Sequence, residues 1–354
     1  MNNIILSKKH RRVTEALTMK IPDRVPFVCL IDLVFASKIS GVNVSDCFLN
    51  PNAHAIALEK TCEKFSGIDG LYVNLCFDKT ELEDLKEEKD KIIIRTHGEI
   101  TWEMKKDCVG VAKYFGIKDF KDKRIREADF LRPMNTVFRK IRSNIKNEFV
   151  IVNGFTGPYS QLVFLMGIEK VLMGMLDEPD KLKNAIKSRV EISKDWIKSI
   201  YEAGSRVVWI GEGLASCDLI SPKQYEEFVL PYEREVIEEF KKYNIYVILH
   251  ICGNIDNTLE LQVKSGADCL TVDKTDISFA KEKVGRSICL TGNLSTTDLA
   301  LKSNGFIYEN SVNCINKAKK DGGFILSSDC LVGRNTPEEN ITAMIKAVNN
   351  MGYY

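Results

Sequence analysis

The sequence predicts a (β/α)8 TIM barrel with a long insertion between its second and third strands. Three observations carry that prediction. Eight short apolar runs recur along the chain, and in the C-terminal half they alternate with amphipathic segments; strands separated by helices imply parallel βαβ units. Residues able to do chemistry fall at the carboxyl ends of those runs, where barrel enzymes carry their sites. No Gly-x-Gly-x-x-Gly follows the first run, as the alternative open doubly wound sheet would need of a dinucleotide fold.

The first three strands are expected at Val-Pro-Phe-Val-Cys-Leu (25–30), Gly-Leu-Tyr-Val-Asn-Leu (70–75) and Phe-Val-Ile-Val-Asn-Gly (149–154). The fourth is Arg-Val-Val-Trp-Ile (206–210), followed by one long helix over 221–243. Strands at 246–250, 268–272, 287–291 and 323–327 complete the set, with helices near 254–265, 277–284, 296–320 and 337–349. No domain break or internal repeat interrupts the series, so residues 1–354 read as a single barrel domain. Residues 76–148 are too long for a simple crossover. They hold a Lys/Glu-rich stretch (79–91), an alternating segment (92–102) and a helix near 134–146, and read as an inserted hairpin and cap, the kind of insertion that forms lids.

Composition excludes several classes. Lys+Arg at 50 against Asp+Glu at 49 leaves a net charge of +1, which gives no electrostatic case for nucleic acid. The run Lys8-Lys9-His10-Arg11-Arg12 reads as the solvated face of a first helix. No apolar stretch is long enough to span a membrane, and the first residues lack the order of a signal peptide. Eleven irregularly spaced cysteines without an export signal point to reduced thiols and a cytoplasmic protein.

The strand ends carry the candidate site. The fourth strand ends at Gly211-Glu212-Gly213, the fifth at His250-x-Cys252, the sixth at Asp273, the seventh at Gly292-Asn293 and the eighth at Asp329-Cys330. Taken singly, His250, Cys252 and Cys330 are more often core residues; on converging strand ends they form a soft set of one imidazole and two thiolates that suits zinc. With one position open, such a site activates a thiol or an oxygen nucleophile. Asp273 is a fourth ligand, an orienting partner for His250, or a cap of the next helix. Glu212, between two glycines, is a candidate for substrate binding, acid–base work or metal ligation. Asn293 is a pocket donor that would contact a cofactor, or a turn residue. His10, His54 and His97 are expected in surface or structural roles.

Five segments resemble the uroporphyrinogen decarboxylase superfamily: residues 21–27 (Ile-Pro-Asp-Arg-Val-Pro-Phe), 156–159 (Thr-Gly-Pro-Tyr), 219–232 (Leu-Ile-Ser-Pro through Leu-Pro-Tyr), 250–254 (His-Ile-Cys-Gly-Asn) and 290–294 (Leu-Thr-Gly-Asn-Leu). The His-x-Cys with a late Cys is similar to the zinc-dependent corrinoid methyltransferase branch, typified by methylcobamide:coenzyme M methyltransferases. The resemblance runs from about residue 8 to the C-terminus and is weakest in the insertion. It implies a (β/α)8 barrel and zinc ligation by His250, Cys252 and Cys330. The related cobalamin-independent methionine synthases add an acidic ligand from the next strand, and Asp273 falls at the comparable place with a shorter side chain. Uroporphyrinogen decarboxylases proper carry arginines after the first strand to hold substrate carboxylates; here residues 29–36 read Cys-Leu-Ile-Asp-Leu-Val-Phe-Ala, without one.

The function this implies is methyl transfer between a corrinoid and a zinc-activated thiol or oxygen substrate such as coenzyme M. The methylcorrinoid would arrive on a small corrinoid-binding partner protein. Tetrahydrofolate, methanol, methylamines and aryl methyl ethers are equally compatible with the ligand set, in either direction of transfer, and a homodimer is compatible with the exposed faces of a barrel. The alternatives are a tetrapyrrole decarboxylase and a different zinc barrel such as a hydrolase.

Overall fold

The computed structural model describes residues 7–73, 82–96, 100–106, 117–123, 132–145 and 148–354. In chain order the strands are β1 (Val28–Cys29), β2 (Gly70–Val73), β3 (Leu82–Glu87), β4 (Lys91–Thr96), β5 (Ile100–Lys105), β6 (Val150–Thr156), β7 (Val207–Gly211), β8 (Tyr246–His250), β9 (Cys269–Thr271), β10 (Cys289–Leu294) and β11 (Phe324–Ser328). Eight of them pair in parallel in the order β1-β2-β6-β7-β8-β9-β10-β11. Parallel bridges Phe27–Leu326 and Ile31–Val332 bring β1 back against β11. There Leu326 N–H donates to Pro26 O and Val332 N–H to Leu30 O, both at 2.9 Å. The sheet is thus a nearly closed barrel, the fold class expected from the sequence. No single helix among the described residues is long and apolar enough to cross a membrane.

Side chains alternate along each strand. One set packs outward under the helices. The other fills the barrel: Val28, Tyr72, Val150, Val152, Val207, Trp209, Ile248, Cys269, Cys289 and Ile325 are buried together, joined by Val13, Ala16 and Leu17 of the helix Lys8–Leu17. That helix contacts β2, β6 and β11 and meets the first residues of several strands, so it closes the amino-terminal end. The opposite, carboxyl ends are left to carry the site.

The basic cluster departs from expectation. Lys8 is exposed, but Arg12 is buried, with its guanidinium on Asp23 (2.7 and 2.8 Å) and on the fully buried Asp69. Asp69 also accepts from Arg24 and from Phe27 N–H, each at 2.9 Å, tying the first helix to the starts of β1 and β2. A buried carboxylate needs such partners to offset its desolvation.

Three helices are shorter than their periodicity suggests. Residues 221–243 split into Pro222–Phe228 and Leu230–Lys242, because Pro231 has no N–H for the preceding turn and fits only at a helix start. The span 296–320 splits into Thr296–Leu301 and Asn304–Ala318, the second capped by Ser303, whose hydroxyl accepts from Phe306 N–H at 3.3 Å. Near 254–265 only Leu259–Val263 is α-helical. Between β2 and β6, β3, β4 and β5 form an antiparallel sheet and are followed by the helix Arg132–Asn144. Ile92 and Ile94 of β4 are buried in the main core. His97 lies outside the described residues, whereas His54 is completely buried in the helix Pro51–Lys64, the structural of the two roles expected for it.

Candidate metal centre

His250 is the last residue of β8 and stands on the inner face of the barrel. Its neighbour there is Trp209, whose ring stacks on the imidazole with centroids 4.4 Å apart and 24° between planes. Tyr72 meets Trp209 edge-on at 5.1 Å. The imidazole Nε2 lies 2.9 Å from Cys252 Sγ and 3.9 Å from Cys330 Sγ. All three ligand atoms fall within 4.8 Å of one another. The sequence expectation that these residues converge therefore holds geometrically, although Cys252 and Cys330 are 78 positions apart in the chain.

Cys252 owes its position to the turn after β8. Gly253 follows it in the left-handed region at φ +82°, where a side chain would be strained and would strike the Asp218 carboxylate. Asp273, two residues past the end of β9, accepts from Gly253 N–H at 2.6 Å and so fixes that turn. The next helix, Ile277–Val284, is capped instead by Asp276, which leaves Asp273 to the metal loop. Burial pushes the Asp273 carboxyl upward, against the pull of that hydrogen bond.

The electrostatics favour an ionised sulfur. A hydrogen bond shared with Cys252, then one with His250, holds the Cys330 thiol well below the usual range, while Cys252 retains the shared proton. One imidazole and two thiols this close present the donor set of a tetrahedral soft-metal site, with Zn–S about 2.3 Å and Zn–N about 2.0–2.1 Å. His250, Cys252 and Cys330 would hold such an ion.

The other predicted residues lie outside that group of three. Glu212 follows β7 and is completely buried; its oxygens accept from Tyr159 N–H (3.1 Å) and Ser160 N–H (2.8 Å). These are first-turn amides of the helix Pro158–Met166, whose N-cap Gly157 brings no side chain of its own. A Cβ on Gly157 would sit 2.2 Å from the Glu212 carboxylate, so the glycine makes room for a cap supplied from another strand. Burial pushes the Glu212 carboxyl up to about 7. Asn293 donates through Nδ2 to the carbonyls of Thr275 (2.9 Å) and Asp273 (3.4 Å), bracing the loop after β9.

Sequence reasoning missed Trp209 and Asp32 here, and named Asp329 at a strand end without giving it a role. Trp209 looked like one more apolar strand residue; its spacing two before Gly211, the register partner of His250, was the available signal. Asp32 caps the helix Leu33–Ser40 through one oxygen, while the other is buried without a partner among the described residues. Burial pushes it up to about 7, and Cys330 lies within its electrostatic reach. Asp329 holds Thr296 N–H at 3.0 Å and anchors the loop that carries Cys330.

Residues 99–351 match the family model Uroporphyrinogen decarboxylase (URO-D). A Methylated-thiol--coenzyme M methyltransferase of Methanosarcina mazei is 26% identical over 59% of this chain and 55% of its own length. A Methylcobamide:CoM methyltransferase of Methanosarcina acetivorans is 28% identical over 58% and 60%, respectively. A uroporphyrinogen decarboxylase of Microcystis aeruginosa is 26% identical over 62% and 64%. The chain thus spans about 55–60% of the length of the two methyltransferases. Among solved structures, a methyltransferase from Methanosarcina mazei superposes with a TM-score of 0.80 at 20% identity, covering 98% of this chain and 99% of the other, which supports the barrel. With the family model matching well over half of its residues, the chain belongs to the uroporphyrinogen decarboxylase (URO-D) family.

Proposed function

We propose that the protein is a zinc-dependent methyltransferase that moves a methyl group between a corrinoid carried by a small partner protein and a thiol or oxygen substrate such as coenzyme M. The observation that carries this reading is the convergence of His250 Nε2 with the sulfurs of Cys252 and Cys330 at the barrel mouth. The names of the related methyltransferases support the same chemistry. When bound, zinc would lower the pKa of a thiol, or polarise an oxygen, at the position the three side chains leave open.

The chain's own part is placement. His250, Cys252 and Cys330 fix where the reacting sulfur or oxygen sits, and the loop hydrogen bonds of Asp273, Asn293 and Asp329 keep those ligands from drifting. Trp209 and Tyr72 wall the lumen side and limit water. We assign Asp273 and Glu212 to supporting the site, the first through the Cys252 turn and the second through the helix beside β7. Asn293 is proposed as a carboxyl-end contact for a docked cofactor, besides the loop it braces. The 76–148 insertion is proposed as a cap on a single barrel domain, and pairing of two such chains as a homodimer remains part of the proposal.

A second reading, decarboxylation of a tetrapyrrole, draws on the decarboxylases among the relatives. Against it, residues 33–36 after β1 are Leu-Val-Phe-Ala and completely buried, with no arginine to hold a carboxylate. The deciding experiment measures bound zinc and then mixes the protein with methylcobalamin and coenzyme M, following loss of the methyl–cobalt absorbance. About one zinc per chain and zinc-dependent demethylation are expected. Turnover of uroporphyrinogen III by metal-free protein would overturn the proposal.

A further inference from the structure

The imidazole of His250 has two ring nitrogens, and only one faces the metal position. Nε2 points at the two sulfurs. An imidazole that gives Nε2 to a metal is neutral, so its proton is on Nδ1. That atom is buried and meets no acceptor among the described residues. Metal-binding histidines almost always donate this second N–H to a fixed partner, which sets tautomer and ring orientation.

A second orphan stands beside it. Thr271 ends β9 and is the direct register partner of His250. Paired residues of neighbouring parallel strands project from the same face about 4.8 Å apart. Cys269, two residues earlier, lines the barrel interior, so Thr271 faces inward as His250 does. Thr271 is completely buried, and its Oγ1 also lacks a partner among the described residues. A hydroxyl one bond from its Cβ and a ring nitrogen two bonds from its own can meet across that gap by side-chain rotation alone. A buried unpaired hydroxyl destabilises a fold, and the flanking strand positions, Leu270 and Val272, are filled by aliphatic side chains. Trp209 covers the ring face and fixes its plane, but its contact is a stack and takes up no proton.

We infer that Thr271 is a positioning residue for the metal centre, its hydroxyl oxygen accepting the Nδ1 proton of His250 when Nε2 is engaged. The inference rests on the metal reading given above and adds to it a residue outside the ligand set. It makes the hydroxyl matter to the loaded state and not to the empty one.

The test compares wild type, Thr271→Val and Thr271→Ser by zinc competition against a chromophoric chelator and by thermal unfolding of the metal-free proteins. Valine keeps the shape and removes the acceptor; serine keeps the acceptor. Thr271→Val should weaken zinc binding about tenfold, while its metal-free thermal midpoint stays level or rises. Thr271→Ser should bind within about threefold of wild type. In the loaded wild type, a slowly exchanging imidazole N–H signal should be detectable by nitrogen-15 NMR and weaken in Thr271→Val. Equal zinc affinity in Thr271→Val and wild type overturns the inference and leaves the metal site standing. So does an equal loss in the serine variant, which would make the effect one of packing. A wild-type protein that takes up no zinc overturns both.

Discussion

The Trp209 indole lies against the His250 imidazole at 4.4 Å between centroids, nearly parallel to it. The stack is made between neighbouring strands β7 and β8 and restricts rotation of a candidate metal ligand. Trp209→Phe keeps an aromatic face and should leave zinc affinity close to wild type. Trp209→Leu removes it, and a roughly tenfold weaker affinity is expected from loss of ligand orientation. Competition titration with a chelator reads both; equal affinities for phenylalanine and leucine would show that the stack does not orient the ligand.

The two cysteines make a stricter demand. Cys330→Ser and Cys252→Ser should each bind far less zinc, because a serine hydroxyl remains protonated near neutral pH and is a poor soft-metal ligand. Both cysteines are partly exposed at the barrel mouth rather than in a packed layer. Far-UV circular dichroism should therefore stay unchanged while elemental analysis shows the metal gone. Full zinc content in Cys330→Ser would remove the ligand assignment.

Legibility in the sequence followed physical range. The eight barrel strands were readable because each buries a short apolar run, and chemistry clusters at the ends of such runs. His250 and Cys252 were readable as a pair on one strand end, and Cys330 because it ends another. Helix continuity failed where a local residue outweighed periodicity, as at Pro231 and Ser303. The task of Glu212 was not readable, since its amide partners come from a helix 52 and 53 residues earlier. Arg12 likewise looked solvated until the fold supplied Asp23 and Asp69.

The Arg12–Asp69–Arg24 group predicts a stability effect remote from the site. Asp69 is completely buried and serves two guanidiniums and one backbone amide. Asp69→Asn leaves buried positive charge without its counter-ion and should cost about 3 kcal/mol in denaturant unfolding. Asp23 adds a pH signature. A hydrogen bond from Arg12 holds its carboxyl far below the usual range. Its folded value is below its unfolded one, so its stabilisation is complete above about pH 4 and is lost as the pH falls further. An Asp23→Asn variant should show a flatter decline in that acid window than wild type.

Glu212 predicts the opposite slope. Burial raises its carboxyl to about 7 in the folded state, against about 4.3 in an unfolded chain. The folded protein therefore holds a proton that the unfolded chain releases, and this group's contribution to stability is present below about pH 4 and fades as the pH climbs through 7. The integrated effect is roughly 4 kcal/mol for a group this buried. Glu212→Gln cannot ionise, so it should lack that slope. It should instead lose about 1–2 kcal/mol at pH 5, where its amide nitrogen cannot accept from one of the Tyr159 and Ser160 N–H groups. Urea unfolding of both proteins at pH 5 and pH 8 gives the comparison. Wild-type stability that falls no further than the variant's between those two values would mean that the carboxylate is ionised throughout, held by the first turn of the helix Pro158–Met166 despite its burial.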